Sequence, residues 1–263
     1  MFRAQHAGGG LLRLINCWDA ASAAAFASLG VPALATTSAG LCWANGYPDG
    51  ASLPSEVLIR AVRSITRVID VPLSVDLEAG YSDDPQAVAE LVAALVDAGA
   101  VGINLEDASG TPDLLAAKIE RVRQRVARDR IDVFVNARTD VYLRSLVVDS
   151  KRVDETCTRG RRYRDAGADG LFVPNVTAAD DIQRISSSVD LPLNVLASPD
   201  LPPPSELAGL GVRRLSSGPA LAQVAYGHAA AAAAAFLAEG RMDVLRAGAT
   251  PYAELNRYFT SKS

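Results

Sequence analysis

The sequence predicts a (β/α)8 barrel, an α/β fold of the TIM-barrel type, with a helical extension at its C-terminus. Three observations predict it. Eight short β-rich runs alternate with eight helix-like stretches within about 240 residues, the size of such a barrel. Several helical stretches end in DAGAVG, DAGADG, SLGVPA or GLGVRR, where glycine takes a left-handed cap and feeds the next strand. No G-x-G-x-x-G follows the first strand, which counts against a doubly wound open sheet.

The elements follow in order. LINCW (14–18) is the first strand and 20–29 its helix; ALATT (33–37) is the second, followed by a helix over 55–68. PLSVDLE (72–78) precedes a helix over 85–98, for which Asp84 and Pro85 look like cap and first turn. VGINLE (101–106) precedes a helix over 112–128, opened in the same way by Thr111 and Pro112; Ser52 lies just ahead of the Pro54 helix. VFVNAR (133–138), GLFVPN (170–175), PLNVLA (192–197) and VRRLSS (212–217) complete the strands. Their helices span 152–166, 178–186, 204–210 and 220–239. The chain reads as one barrel domain over 1–263, with the barrel at about 12–240 and a tail (241–263) holding TPYAELNRYF.

Composition narrows the function. With 263 residues, 49% hydrophobic and 21% charged, the chain can bury a sizeable core. A net charge of -4 leaves no basic stripe for phosphates, so nucleic acid is not expected as a partner. RVRQRVARDR (121–130) reads as the solvated face of a helix. Cys17, Cys42 and Cys157 show neither a disulfide framework nor metal spacing, and a reducing cytoplasm is expected. No basic-then-apolar leader is visible, and the alanine-rich 223–239, interrupted by His228, reads as too weakly apolar to span a bilayer.

The strand ends carry the chemistry. Residues two apart on a strand share a face, so Asp76 and Glu78 are expected to point the same way, as are Asn104 with Glu106 and Asn136 with Arg138. Asn194, Thr36 and Ser38 also sit near strand C-terminal ends, where barrels build active sites. Other residues are already placed as helix caps, which leaves Asp49, Asp76, Glu78 and Glu106 for function. Carboxylates facing one another repel, and a divalent cation resolves the conflict. An all-oxygen set, with His6 and His228 both distant in sequence, suits magnesium or manganese better than zinc. Arg138 supplies a fork for a carboxylate or phosphonate. Ser38, Ala39 and Gly40 form either a small anion-binding nest or a plain turn. LSSGP (215–219) is either a phosphate turn or a helix cap, Trp18 lines the mouth or packs, and Tyr47 is a proton carrier or a packing residue.

Seven ordered stretches then carry a resemblance: NCWDAASAAAFASLG, TTSAG with GYPDG, VDLEAGYSDDP, GINLEDASG, NARTDVYL, AGADGLFVPN and PLNVLA. From about Asn16 to about Gly218 the chain resembles the isocitrate lyase / phosphoenolpyruvate mutase superfamily, and most of all its short carboxyvinyl-carboxyphosphonate phosphorylmutase-like members. The resemblance implies a barrel with magnesium at its mouth, held directly by Asp76 and through water by Asp49, Glu78 and Glu106. It implies that Arg138 grips a substrate carboxylate, that Ser38, Ala39 and Gly40 bind an anionic end, and that Asn194 reaches the substrate. It also implies a homotetramer, a dimer of dimers with the eighth helix exchanged between subunits.

One departure matters. The isocitrate-cleaving members carry K-[KR]-C-G-H after the fourth strand, and its cysteine acts as the acid; this chain reads EDASGTPDLLAAKIERV there. That argues against isocitrate or methylisocitrate cleavage. The expected activity is a magnesium-dependent lyase that cleaves a C–C bond of a small, oxaloacetate-like 2-oxo or 2-hydroxy dicarboxylic acid through an enolate. The alternatives are P–C cleavage or mutase chemistry on phosphonopyruvate or phosphoenolpyruvate, and a metal-binding barrel without turnover.

Overall fold

The computed structural model describes residues 2–8, 10–50 and 52–260. Eight parallel strands close into a barrel in sequence order. They are β1 Leu12–Cys17, β2 Leu34–Thr36, β3 Leu73–Asp76, β4 Gly102–Glu106, β5 Phe134–Arg138, β6 Gly170–Val173, β7 Leu193–Leu196 and β8 Val212–Ser216. Helices α1 Ala4–Ala7, α2 Ala20–Ala27, α3 Ser38–Ala44, α4 Ser55–Thr66, α5 Pro85–Asp97 and α6 Pro112–Asp129 belong to the first half. Helices α7 Arg152–Asp165, α8 Ala179–Ser188, α9 Pro204–Leu207, α10 Ala220–Glu239 and α11 Tyr252–Thr260 belong to the second.

Local chemistry explains the elements. Asp84 accepts from the Gln86 N–H at 2.9 Å and Thr111 from the Leu114 N–H at 3.3 Å, each with proline in the first turn. Ser52 does not cap α4; its hydroxyl bonds the Pro48 carbonyl, and α4 begins at Ser55, after an N-cap Pro54 with no side-chain cap among the described residues. Asp19 and Ser22 form a reciprocal capping box on α2 that the spacing alone did not announce. Gly99 and Gly167, in the two DAGA turns, have φ of +102° and +104°, a region only glycine enters cheaply.

Two apolar layers hold the barrel. The larger lies between strands and helices, with Leu58, Val62, Ile65, Val75, Ile103, Ile119 and Val173 all fully buried. The smaller fills the lower barrel interior with Leu12, Leu14, Ala33, Ala35 and Phe134. The short α1 closes this lower end. Phe2 meets Phe134 edge-on at 5.6 Å, and the His6 ring stacks on Phe134 at 4.2 Å. Gly102 makes room for this plug, since a Cβ there would sit 2.8 Å from the Phe2 ring.

Several expectations are corrected. β3 ends at Asp76, not 78, and Glu78 adopts φ +48°. The strand-alternation argument therefore does not reach Glu78. The segment read as a nest or turn is the short helix α3. The arginines of α6 are not simply solvated: Arg123 binds the Gly167 carbonyl at 2.6 Å and pairs with Asp169, and Arg125 pairs with Glu90. α10 is long and apolar enough, by length and composition, to cross a membrane, contrary to the reading of 223–239, and it is only 6% buried.

Candidate active site

The C-terminal ends of the strands surround a cavity of about 250 Å³. Asn16, Thr37, Ser38, Asp49, Asp76, Asn104, Arg138 and Ser216 supply its polar lining, and Ala39, Leu143, Phe172, Pro174 and Leu196 an apolar wall. The register explains the convergence. Asp76, Asn104 and Asn136 are lateral partners on β3, β4 and β5, and Glu106 pairs with Arg138 one step nearer the mouth.

Arg138 is clamped from two sides. Its Nη1 lies 2.7 Å from a Glu106 carboxylate oxygen, and Asp140 accepts from its Nε at 2.7 Å and Nη2 at 3.1 Å. Asp140 is fully buried and is itself fixed by its own backbone N–H, which donates to Asp107 at 2.9 Å. Phe172 lies under the guanidinium at 5.8 Å. These carboxylates hold Arg138 firmly protonated against its burial. Glu106 is pushed up to about 8, first by burial and then by Asp140, Asp76 and Glu78, with Arg138 opposing the shift.

Asp76 stands two strands away, on β3. Its Oδ2 accepts from the Ser38 N–H at 3.3 Å, and its own N–H donates to Thr36 Oγ1 at 2.9 Å. Its Oδ1 is buried without a hydrogen-bond partner among the described residues, so one acceptor is left for a bound group. Beside it, one donor atom each from Cys42, Asp49 and Glu78 lie within 4.8 Å of one another. Tyr81 donates to Glu78 at 3.1 Å. The four acids named from sequence thus do not form one tight cluster: Asp49 and Glu78 approach each other, Asp76 adjoins them, and Glu106 is turned to Arg138. Oxygen donors with one uncommitted acceptor fit a hard divalent cation. The neighbouring Cys42 thiol, pushed up to about 11 by burial and by Glu78 and Asp49, stays protonated.

Other expected residues fall elsewhere. Trp18 is buried between Phe26, at 5.9 Å, and Tyr226, at 6.3 Å, and does not line the cavity. Tyr47 is half-buried against the hydrophobic core and also outside the lining. Gly40 is packed into α3, where a Cβ would meet Thr37 and Trp18 at 2.7 Å each. Ala39 lines the cavity, and at the start of α3 the Ala39 and Gly40 N–H groups lie where helix geometry offers no carbonyl. The LSSGP turn is committed to Asn16, which exchanges hydrogen bonds with Ser217 and accepts from the Gly218 N–H at 2.9 Å. Asn194 lies beneath the floor, its amide spent on Ser216, Val195 and Asn136. Sequence reasoning missed Asp140, two residues past Arg138, as well as Arg214.

The β4–α6 connection is short and roofs a second cavity of about 290 Å³ behind Glu106, walled by Ala79, Asp83, Asp107, Thr111 and Lys118. Lys118 Nζ donates to the Ala79 carbonyl at 2.8 Å. It pins the loop that carries Glu78.

Comparison with known proteins agrees with this geometry. The family model described as phosphoenolpyruvate phosphomutase matches residues 2–237. An uncharacterized Mycobacterium tuberculosis protein (strain ATCC 25618 / H37Rv) is 39% identical over 249 residues, covering 92% of this chain and 89% of its own. An oxaloacetate decarboxylase of Bradyrhizobium sp. (strain BTAi1 / ATCC BAA-1182) is 30% identical over 211 residues, covering 78% and 70%. A Burkholderia cenocepacia J2315 structure, provisionally named a phosphonomutase, superposes with a TM-score of 0.83 at 41% identity, covering 88% of this chain and 96% of that one. The chain belongs to the phosphoenolpyruvate phosphomutase family, within the PEP mutase/isocitrate lyase superfamily of lyases and mutases, and is an enzyme of that superfamily.

Proposed function

We propose that the protein is a lyase that cleaves a C–C bond of a small, oxaloacetate-like 2-oxo or 2-hydroxy dicarboxylic acid with a divalent cation, magnesium or manganese, at the barrel mouth. One observation carries the reading: Arg138, clamped by Glu106 and Asp140, faces the same cavity as Asp76 with its uncommitted acceptor. A fixed cation on β5 and a metal-ready acid on β3, with β4 between them, suit a ligand with two acidic oxygen groups. The decarboxylase relative supports the oxaloacetate-like class.

Asp76 would hold the cation, with Asp49 and Glu78 beside it and Glu106 on its arginine side. When bound, the cation supplies a Lewis-acid sink for charge on the substrate C2 oxygen. Arg138 binds a substrate carboxylate and cannot swing away, because Asp140 occupies two of its donors. In decarboxylation the C3–C4 electron pair moves toward C2 as carbon dioxide leaves, and C3 later takes a proton. The preset guanidinium meets the growing negative charge without reorganising water. The apolar wall of Leu143, Phe172, Pro174 and Leu196 lowers the local dielectric and excludes water from that face.

The test is a pyruvate-release assay with magnesium and oxaloacetate, 2-methylisocitrate, dimethylmalate or phosphonopyruvate, with EDTA and Asp76→Ala controls and subtraction of metal-catalysed background. Pyruvate from a carbon acid, lost in both controls, is the expected result. Full turnover by Asp76→Ala would sink the reading. Pyruvate from phosphonopyruvate alone would establish P–C cleavage, the second reading, which the 41%-identical Burkholderia structure favours. Silence across the panel would favour a barrel that binds without turnover.

We further infer a homo-oligomer, a tetramer by the family resemblance. α10 and the tail expose Val224, Phe236, Leu237, Met242 and Tyr252, with Leu237 at 82% and Tyr252 at 81%. An apolar face of that extent calls for a cover, and a second copy supplies one.

A further inference from the structure

Beneath the cavity floor lies a buried arginine that the proposed chemistry does not use. Arg214, on β8, is 1% exposed and heads the largest fully buried side chains. Its hydrogen bonds go to neutral acceptors: Nε donates to Ser216 Oγ at 3.1 Å and Nη2 to Asn104 Oδ1 at 3.3 Å. Among the described residues its Nη1 has no hydrogen-bond partner. Burial pulls the guanidinium down to about 9, with Asp76 opposing the shift. A charge in such a place is costly, and its effect on its neighbours is correspondingly large.

Those bonds close a ring. Ser216 Oγ donates to Asn194 Oδ1 at 3.3 Å. Asn136 Nδ2 donates to Asn194 Oδ1 at 3.0 Å and to Asn104 Oδ1 at 2.9 Å. The ring returns through Arg214 Nη2. A guanidinium only donates, so the Asn104 atom that meets it has to be the carbonyl oxygen. Asn104 Oδ1 therefore faces down with two donors on it, and Nδ2 faces the cavity that Asn104 lines. Among the described residues no hydrogen bond uses that nitrogen. Asn194 donates to the backbone carbonyls of Val195 and Arg214, so its Oδ1 keeps Asn136 Nδ2 in place. Asn136 and Arg214 together keep Asn104 Oδ1 turned down; without Arg214 that oxygen has one donor and the amide is held less firmly. Gly170 leaves the space for this arrangement, since a Cβ there would lie 2.7 Å from Asn136 Oδ1.

We propose that Asn104 is a ligand-facing hydrogen-bond donor held in that orientation by Arg214 together with Asn136, and that the Asn104–Arg214 pair selects ligands that place a carboxylate or carbonyl oxygen on the cavity floor. The inference rests on the cavity being the binding site, as proposed above. Asn104 contacts the ligand; Arg214 is a positioning residue. The device sits between Asp76 and Asn136, so it reads the part of the ligand that penetrates deepest.

Oxalate with magnesium chloride, titrated calorimetrically into the full chain, is the probe. Asn104→Asp keeps an oxygen for Arg214 and Asn136 but replaces the cavity donor with an acceptor. It is expected to keep or raise the thermal midpoint and to weaken oxalate by ~100-fold, the scale of a lost charge-assisted bond plus repulsion. Asn104→Leu and Arg214→Met are each expected to weaken oxalate by ~10-fold, and the double variant no more than either, since both remove one interaction. Binding by Asn104→Asp and Asn104→Leu within ~2-fold of wild type overturns the donor role, because independent neighbours scatter by about that much. If Arg214→Met costs as much in the Asn104→Leu background as alone, Arg214 acts through its field and the pairing is overturned. A wild type that binds no oxalate with magnesium overturns the reading of the cavity itself, and the inference with it, a result distinct from either variant outcome.

Discussion

Asp140 shows how much of this site depends on a residue that touches no ligand. It is fully buried, holds Arg138 through two donors, and also accepts from Arg144 Nε at 2.8 Å. Asp140→Asn keeps the size but loses the charge that fixes the guanidinium. Kinetics on whichever compound is turned over should show KM rising by ~10-fold with a smaller change in kcat, because ground-state anchoring is lost more than transition-state charge. An unchanged KM would show that Glu106 alone positions Arg138. Glu106 itself gives a pH prediction. In the cation-free protein it keeps its proton to about 8, whereas its ordinary value is 4.5. Between those values the folded state holds the extra proton, so stability falls as pH rises through the window. Thermal midpoints in EDTA should therefore decline from about pH 5 to about pH 8 in wild type and decline less in Glu106→Gln. Parallel profiles would place the burial penalty elsewhere.

At the scale of elements, Asp107 ties three pieces of the barrel together. It accepts from Thr139 Oγ1 at 2.7 Å and the Asp140 N–H at 2.9 Å beyond β5, and from Arg159 Nη1 at 2.9 Å and Tyr163 OH at 2.6 Å on α7. Burial and this carboxylate push the Tyr163 hydroxyl far above its ordinary range, so it stays a donor. Asp107→Ala leaves Arg159 buried without that partner and is expected to cost ~3–5 kcal/mol, read as a lower denaturant midpoint. Because Asp140 hangs on the same carboxylate, activity should fall even where the variant remains folded. A stable variant with full activity would refute the account of Asp107 as the brace behind Arg138.

For the whole molecule the unsettled surface is α10. Phe236 is 43% exposed, Val224 54% and Leu237 82%. If a second copy covers this face, light scattering should give a mass above that of one chain. Val224→Glu with Leu237→Lys should then shift the protein to the monomer and lower its thermal midpoint, since buried apolar contacts contribute about 25 cal/mol per Å². A wild-type monomer at working concentrations would overturn the self-association reading. Trp43 and Tyr226, 6.5 Å apart, connect α10 to the helix that starts at Ser38. Packing on α10 therefore bears on the wall of the cavity.

What the sequence determined by itself was the period of the chain. Alternation of apolar runs with helical stretches, and the DAGA turns, specify parallel strands joined by helices; closure of eight such units brings the strand ends together. That Arg138 on β5 and Asp76 on β3 line one cavity was legible because a strand has a fixed two-residue repeat and a barrel gathers its strand ends around one mouth. The tertiary structure decided what lies off that repeat or across the barrel. Glu78 left its expected face because the backbone turns left-handed after Asp76. Trp18, Tyr47 and Asn194 lie outside the cavity lining because packing, not spacing, chooses between wall, core and floor. Arg214 and Asn104 are 110 positions apart, and their bond forms only when β8 closes against β1. Local sequence sets which residues can point inward, while the closed barrel sets which of them meet, and a hydrogen bond needs the second.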